Sequence, residues 1–214
     1  MDLSARQLRT GIRSPAALAR QLRLARMTPI APDTPRSPQR PWMDASIGRY
    51  FKKDRTVEGF FADYDDRTSK SKRRETAASE IMNGRKMLSR FAALDRPQPD
   101  PSRVQMRSTR VEVLGHGLIM GVDLAYETST GWILRHLITD DEIRRPEHLR
   151  LYATAAALHF EGRPDGGRVA RVEVWLLRYD GRVAGWPRSL LETSTPRLAT
   201  RLAEIAKGAS GQVA

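Results

Sequence analysis

The spacing of the apolar residues changes near the middle of the chain, from that of a helix to that of strands. This change most limits what the chain can fold into. A stripe with the spacing of one helix face precedes it: Ala77, Ile81, Gly84, Leu88 and Phe91. Three prolines within residues 97–101 end this helix, because proline lacks a backbone N–H and clashes with the preceding turn. Beyond them the apolar residues alternate, as strands require. We expect the helix to pack on the strands that follow it.

The second half of the chain predicts a compact series of strands and helices. Short separations between its first three strands favour an antiparallel meander, and Asp180-Gly181 marks a hairpin. Pro146 stands near the start of one helix, and Gly208 closes the last. The predicted strands are 104–114, 118–126, 132–138, 168–179 and 183–186, and the predicted helices are 146–160 and 195–207. This order predicts an α/β fold: helix, three-stranded antiparallel meander, helix, two strands, helix.

The first part of the chain is divided by prolines. Apolar residues at helical spacing over 3–27 predict two short helices with arginine-rich outer faces. One helix of a helix-turn-helix is an alternative for 14–26, although no recognition helix follows. Five prolines within 28–41 predict an extended linker or wrapping arm. We therefore expect three regions: a basic helical and Pro-rich arm over 1–41 that orders mainly on a partner, a basic helical region over 42–103 that packs on the core, and an α/β core over 104–214.

Composition excludes several classes of protein. The 214 residues contain no cysteine, which excludes a disulfide scaffold, a thiolate zinc site and a cysteine nucleophile. Uncharged runs are too short to cross a bilayer, which needs about 20 apolar residues. The N-terminus has no apolar signal region. We expect a cytoplasmic protein with no membrane association, and a nucleoid association is left open.

Charge is distributed unevenly along the chain. Residues 1–110 hold 24 Lys+Arg against 12 Asp+Glu, whereas residues 111–214 hold 13 against 13. Clustered cations bind polyanions because they release the counterions condensed on phosphate. The excess favours nucleic acid as a partner, DNA before RNA, although the 31 arginines also fit a genome that favours this residue. The candidate nucleic-acid-binding residues are Arg49, Lys52, Lys53, Lys70, Lys72, Arg73, Arg74, Arg85 and Lys86.

Aromatic residues are concentrated between residues 42 and 64. Six of the chain's 14 aromatics lie there, interleaved with basic residues: Trp42, Tyr50, Phe51, Phe60, Phe61 and Tyr64. Such a mixture can form a platform on which single-stranded bases stack. The alternative, which we favour, is the buried side of an amphipathic helix, because Phe and Tyr are normally buried.

Several phrases of the second half, taken in order, resemble the PD-(D/E)XK nuclease superfamily, especially its RecB-like branch. The resemblance covers about residues 75–207. Gly121-Val122-Asp123 is similar to the family's Gly-x-x-Asp phrase, with shortened spacing, and Asp123 matches its metal-binding carboxylate. The strand WILRHLIT places Arg135 at the position of the family's second acid and Leu137 at the position of its lysine. His148 and Tyr152 match the family's Gln-x-x-x-Tyr, and Leu88 stands where the family often has a histidine.

The resemblance implies a nuclease fold without a working active site. In the family, two carboxylates hold Mg²⁺ and the lysine orients water or stabilises charge on the phosphate. An arginine in place of a carboxylate repels the metal, and a leucine cannot orient water. We therefore expect no catalytic residues, no metal and no cofactor, with Asp123 and Tyr152 as vestiges. The expected function is a noncatalytic nucleic-acid-binding subunit of a DNA-processing or defence assembly, with other protein subunits as partners.

Two other interpretations stay open. Asp140 or Glu142, in the acidic segment after the third strand, could replace the missing acid and form with Asp123 a divergent Mg²⁺-dependent nuclease. A zinc or manganese site of Asp123, His136 and His148 is a weaker alternative, because no histidine pair has the i, i+4 spacing of helical ligands. A third possibility is a structural subunit whose arm docks on an acidic protein surface.

Overall fold

A computed structural model describes the protein over residues 1–27, 39–52, 57–69, 78–95, 98–139, 143–178 and 181–210. Six strands in this part form one mixed sheet. They are β1 (Asp2–Ser4), β2 (Arg103–Val113), β3 (His116–Thr128), β4 (Gly131–Ile138), β5 (Val169–Leu176) and β6 (Arg182–Pro187). β3 is antiparallel to β2 along one edge, and its other edge pairs with β1 near its start and with β4 near its end.

Local sequence explains the main connections of the sheet. A two-residue turn joins β2 to β3, and both Leu114 and Gly115 have the positive φ that suits a tight hairpin. β4 and β5 are parallel, so the chain must cross over between them. Helix α6 (Pro146–Glu161) makes this crossover. It begins at a proline, whose missing N–H has no helical partner to lose at that position.

One face of the sheet is covered by helices from both ends of the chain. These are α1 (Ala5–Arg13), α2 (Pro15–Met27), α6, α7 (Arg188–Glu192) and α8 (Thr195–Ser210). They bury their apolar residues in the first core cluster, among them Leu8, Leu18, Phe160 and Leu202. The Ser4 side chain and Gln7 form a capping box that starts α1 directly after β1.

The other face is covered by α3 (Gln39–Tyr50), α4 (Val57–Ser69) and α5 (Ala78–Asp95). Their aromatic rings pack together and against Trp175 of β5 in the second core cluster. Tyr50 lies 5.1 Å from Phe60 and 5.7 Å from Phe91, measured between ring centroids. Tyr50, Phe60 and Tyr64 are buried, so the stacking platform is wrong for them and core packing is confirmed. The side chain of Trp42 lies outside the described residues.

The observed elements agree with the sequence-based order from α5 onward, in a mixed α/β architecture to which the short α7 is added. Three details differ. Residues 1–27 are not an arm that waits for a partner, because β1 joins the sheet and Leu3, Leu8 and Leu18 are fully buried. Helix α3 begins at Gln39, inside the expected arm, and Gly208 lies within α8 instead of closing it. The division into three regions stays a prediction.

In the described part of the chain, no helix combines the length and the apolar composition that crossing a membrane requires.

Candidate functional site

Arg135 of β4 is the centre of a buried group of polar and aromatic side chains. Its guanidinium is 3.1 Å from a Glu173 oxygen and 3.7 Å from an Asp95 oxygen. It also donates to the Tyr126 hydroxyl and lies 3.9 Å from the centroid of the Trp175 ring. The arginine is 3% exposed. A charge this deeply buried needs such partners, because its hydration is lost.

The group formed by Arg135, Asp95, Glu173, Tyr126 and Trp175, which we call the Arg135 cluster, lies on the sheet face that α5 covers. Leu137 lies on the same face and packs in the second core cluster. Both residues are therefore committed to core contacts. A metal at this face would meet the fixed positive charge of Arg135, which repels it.

Tyr152, the other nuclease-like residue on α6, lies on the opposite face of the sheet. It packs in the first core cluster, where its ring is 5.5 Å from the His136 ring, edge to face. The guanidinium of Arg9 in α1 lies 5.7 Å from the same ring. The structure thus brings His136 to Tyr152, and it separates Tyr152 from Arg135 and Leu137.

The face of β4 that meets α6 is formed by Leu134, His136 and Ile138, since Leu134 and Ile138 also pack in the first core cluster. Side chains of a strand alternate between faces, so a shift of one residue moves the whole set to the other side. Arg135 and Leu137 therefore lie on the opposite face of the sheet from Tyr152. On the face that meets α6, Leu134, His136 and Ile138 supply neither a carboxylate nor an amine.

Asp123 lies where β3 separates from β4. The last pair of the β3 and β4 ladder is Leu124 with Arg135, and beyond it β1 pairs with β3 instead. At this fork an Asp123 carboxylate oxygen accepts the backbone N–H of Leu137 at 2.7 Å. The side chain therefore satisfies a backbone donor at the point of separation, which is a structural role.

Histidines and carboxylates of the described residues do not gather into a group of three that could hold a metal ion. The proposed set of Asp123, His136 and His148 is included in this statement. Mg²⁺ prefers several oxygen ligands, so the described residues around Asp123 do not fit it. Asp140 and Glu142 lie outside the described residues, and their part in a site stays a prediction.

Three histidines, His116, His148 and His159, have pKa values that are lowered by burial. His159 is buried and its Nε2 lies 2.9 Å from the carbonyl oxygen of Thr109, while burial lowers its pKa. Burial also lowers the pKa of His148, and the nearby Arg145, Arg201 and Arg197 lower it further, whereas Glu147 raises it. The arginines around His148 come from α6 and α8, which are far apart in sequence.

The described members of the expected nucleic-acid-binding set lie on the helices of the second face. Arg49 and Lys52 are exposed at the end of α3, and Lys86 is exposed on α5. Arg85 forms an ion pair of 3.1 Å with Asp65, and its guanidinium lies 5.7 Å from the Phe61 ring. Asp65 thus offsets one of the two positive charges of Arg85 and Lys86. Lys53, Lys70, Lys72, Arg73 and Arg74 lie outside the described residues.

The arginines near the N-terminus were not among the candidate binding residues. Residues 3–27 contain six arginines and neither aspartate nor glutamate. This signal was visible in the sequence, but the choice of candidates followed the more numerous basic residues between 49 and 86. The fold places these arginines beside the last helix, which the sequence does not reveal.

Comparison with known proteins adds little to this picture. No protein-family profile matches the chain, and no curated protein matches its sequence. Among solved structures, the chain is similar to a candidate exonuclease from Eubacterium rectale, with a TM-score of 0.47 and 9% identity. The similarity covers 80% of this chain and 69% of that one. At this TM-score the likeness establishes neither the family nor an activity for this chain.

Proposed function

We propose that the protein is a noncatalytic nucleic-acid-binding subunit, built on a nuclease-like α/β core, that works in a DNA-processing or defence assembly. The observation that carries this proposal is the Arg135 cluster. Two carboxylates that could attract a metal, Asp95 and Glu173, are instead paired with a buried arginine. A side chain held in this way stabilises the core and is not free to serve chemistry on a phosphate.

Among the described residues, the Tyr152 side has no suitable donor set, which supports the same proposal. Hydrolysis of a phosphodiester by a metal-dependent nuclease needs carboxylates for the metal and a group that orients water. Leu134, His136 and Ile138 present none of the expected carboxylate or amine groups there. Nucleic-acid binding is supported by the charge, since residues 1–110 have twice as many cations as anions.

A test of the catalytic state uses the full chain with linear, circular and single-stranded DNA. We expect no cleavage with Mg²⁺ or with Mn²⁺, which tolerates imperfect ligand sets, and no difference between the wild type and Asp123→Asn. Asparagine keeps the acceptor for the Leu137 N–H, so this variant removes the charge without removing the structural bond. Cleavage by the wild type that disappears in Asp123→Asn would overturn the noncatalytic proposal.

Binding is tested separately. Titration of the full chain with a DNA duplex at three salt concentrations should show log affinity falling against log salt with a slope of about −5, if about six phosphates are neutralised. A slope near zero would contradict nucleic-acid binding and favour a structural subunit that docks on an acidic protein. Protein partners are sought by purifying the native complex and identifying both its proteins and its nucleic acid.

One observation favours a divergent Mg²⁺-dependent nuclease as the second candidate. Asp123 contacts the backbone of β4 at Leu137, and the acidic segment 140–142 begins soon after β4 ends at Ile138. This places a carboxylate at the strand end from which Asp140 and Glu142 follow. The cleavage assay above separates the two candidates, and Asp140→Asn and Glu142→Gln would then identify the second ligand.

A further inference from the structure

Helices α1, α2 and α8 form one layer on the sheet, although they come from opposite ends of the chain. Two glycines allow the close contact. A Cβ added to Gly208 of α8 would lie 2.8 Å from the Cβ of Ala19 in α2. A Cβ added to Gly11 of α1 would lie 2.5 Å from Cδ1 of Ile205 in α8. The three helices bury their apolar residues on one side and share one outer surface, which we call the α1–α2–α8 surface.

This surface carries several exposed cations and few carboxylates. Among the described side chains, the exposed cations of the three helices are Arg6, Arg13, Arg20, Arg23, Arg197 and Lys207. The two nearby carboxylates are already engaged, since Glu204 pairs with Arg201 at 3.0 Å and Asp2 pairs with Arg110 at 2.9 Å. Within the described residues, Arg13, Arg20 and Arg197 form no ion pair. The surface therefore has positive charge that its own neighbours do not neutralise.

The positive surface continues onto the start of α6. Arg145 is exposed there, and His148 is close enough to Arg145, Arg197 and Arg201 for all three to lower its pKa. Glu147 is the carboxylate at this end, and it acts in the opposite direction. The fold thus gathers cations of the C-terminal half, which is neutral by count, beside those of residues 3–27.

We propose that the α1–α2–α8 surface binds the phosphate backbone of nucleic acid, an inference that rests on the proposed function and assigns a surface to it. Arginine is suited to this ligand because its planar guanidinium donates two hydrogen bonds to one phosphate. α8 has 16 residues, about 24 Å at 1.5 Å per residue, which is the length of about seven base pairs. Its cations and those of α2 therefore reach several successive phosphates.

The chemistry of the surface favours nucleic acid over an anionic membrane. A helix that lies on a membrane inserts large apolar side chains beside its basic residues. The exposed large apolar residues of the described chain lie elsewhere: Met82, Leu114, Ile119, Val183 and Leu190. The apolar residues of α1, α2 and α8 pack in the core instead, so charge is what this surface offers to a ligand.

The experiment compares two variants that lose the same four positive charges from the full chain. The first, Arg13→Gln, Arg20→Gln, Arg23→Gln and Arg197→Gln, changes the α1–α2–α8 surface. The matched control, Arg107→Gln, Arg168→Gln, Arg178→Gln and Arg182→Gln, removes four exposed charges from strands and loops outside this surface and outside the candidate binding set. All eight positions are exposed, so both variants should melt like the wild type. Melting curves check this before binding is compared.

Binding to a 30-base-pair duplex is measured by fluorescence anisotropy at three salt concentrations. In the surface variant we expect the salt slope to become shallower by about 3 to 4, because each lost contact to duplex DNA contributes about 0.9. Affinity at 100 mM salt should fall by about a hundredfold or more. The salt slope of the control variant should differ from that of the wild type by no more than about 0.9, the contribution of one phosphate contact.

Each other outcome has a distinct meaning. Loss of binding in the control variant alone would keep nucleic-acid binding and overturn this surface. A wild type without a salt slope would overturn the proposed function itself and this inference with it. Binding of the wild type to phosphatidylserine vesicles but not to DNA, abolished in the surface variant, would assign the surface to membranes and overturn the inference.

Discussion

Arg135 and Glu173 are register partners on the parallel strands β4 and β5, and an ion pair of 3.1 Å joins their side chains. Water has little access to the pair, since the side chains are 4% and 16% exposed. Glu173 also binds Arg171 at 3.0 Å, so one carboxylate is shared by an inner and an outer arginine. The pair thus joins adjacent strands inside the core.

Arg135→Met should strongly destabilise the protein. Methionine fills much of the volume but leaves the carboxylates of Asp95 and Glu173 without the buried cation. Breaking a buried pair in this way costs about 3–5 kcal/mol, because an uncompensated charge remains in the core. Urea unfolding at pH 7 measures the loss.

Arg171, the exposed partner of Glu173, provides the control. Arg171→Gln should cost less than about 1 kcal/mol, since solvent screens an exposed pair. Adding Asp95→Asn to Arg135→Met should recover part of the stability, because one stranded carboxylate is removed. If Arg135→Met and Arg171→Gln unfolded at the same urea concentration, the structural role of the Arg135 cluster would be disproved.

Two substitutions of Asp123 should differ in stability. Asp123→Asn retains an oxygen that accepts the Leu137 N–H, so its free energy of unfolding should stay close to that of the wild type. Asp123→Ala leaves this backbone donor without its partner and should cost about 1–3 kcal/mol. Chemical denaturation of both variants tests the difference. Equal stability would show that the hydrogen bond at the strand fork contributes nothing.

Gly208→Ala should destabilise the protein, although alanine is the better helix former. In an open helix this change gains about 1 kcal/mol. Here the new Cβ would stand 2.8 Å from the Cβ of Ala19, and both atoms are fixed by their backbones. We expect a net loss of about 1–3 kcal/mol from overpacking.

A double variant checks that this loss comes from the contact between α2 and α8. Ala19→Gly combined with Gly208→Ala should be more stable than the sum of the two single changes predicts, because it removes the clash. Thermal unfolding of all four proteins gives the interaction energy. Strict additivity would mean that the two helices do not meet at these residues.

Stability should fall as the pH is lowered from about 7 to about 5, in part because of His159. Burial lowers its pKa in the folded state below the ordinary value of 6.5, so the unfolded chain binds the proton first. The stability that the neutral ring contributes is present above the unfolded pKa and is lost as protons bind the unfolded state. His159→Gln, whose amide can replace the bond to Thr109, should flatten this dependence.

The matched variant is His148→Gln, at a partly exposed position. It should flatten the pH dependence less than His159→Gln does, because less burial opposes protonation there. Urea unfolding at several pH values between 5 and 8 makes the comparison. An unchanged pH dependence in His159→Gln would show that this histidine is not the buried neutral group that resists acid.

Much of the fold could be predicted because its signals are local. The predicted strands over 104–114, 118–126 and 132–138 lie within two residues of β2, β3 and β4. Alternating apolar residues and a tight turn specify such strands without reference to the rest of the chain. Asp123 was also found from its local phrase, although its observed contact is to a backbone N–H.

The placement of the candidate site could not be predicted in the same way. A strand that is apolar on both faces, as β4 is, gives no indication of which residues meet α6 and which meet α5. The sequence therefore did not show that Arg135 and Leu137 face α5 whereas Tyr152 packs on the opposite face of the sheet. Residues 3–27 were expected in an arm because a segment with five prolines follows them, and their partners in the core are distant in sequence.

The sequence by itself determined most helices and strands from α5 onward, their order and the excess of positive charge in the first half, because each depends on neighbouring residues or on counting. The tertiary structure alone decided that Arg135 is a buried ion-paired group, that β1 joins the sheet, and that α8 lies beside α1 and α2. These features depend on contacts between distant parts of the chain. Such contacts form only when the whole sheet buries both of its faces, so local periodicity cannot specify them.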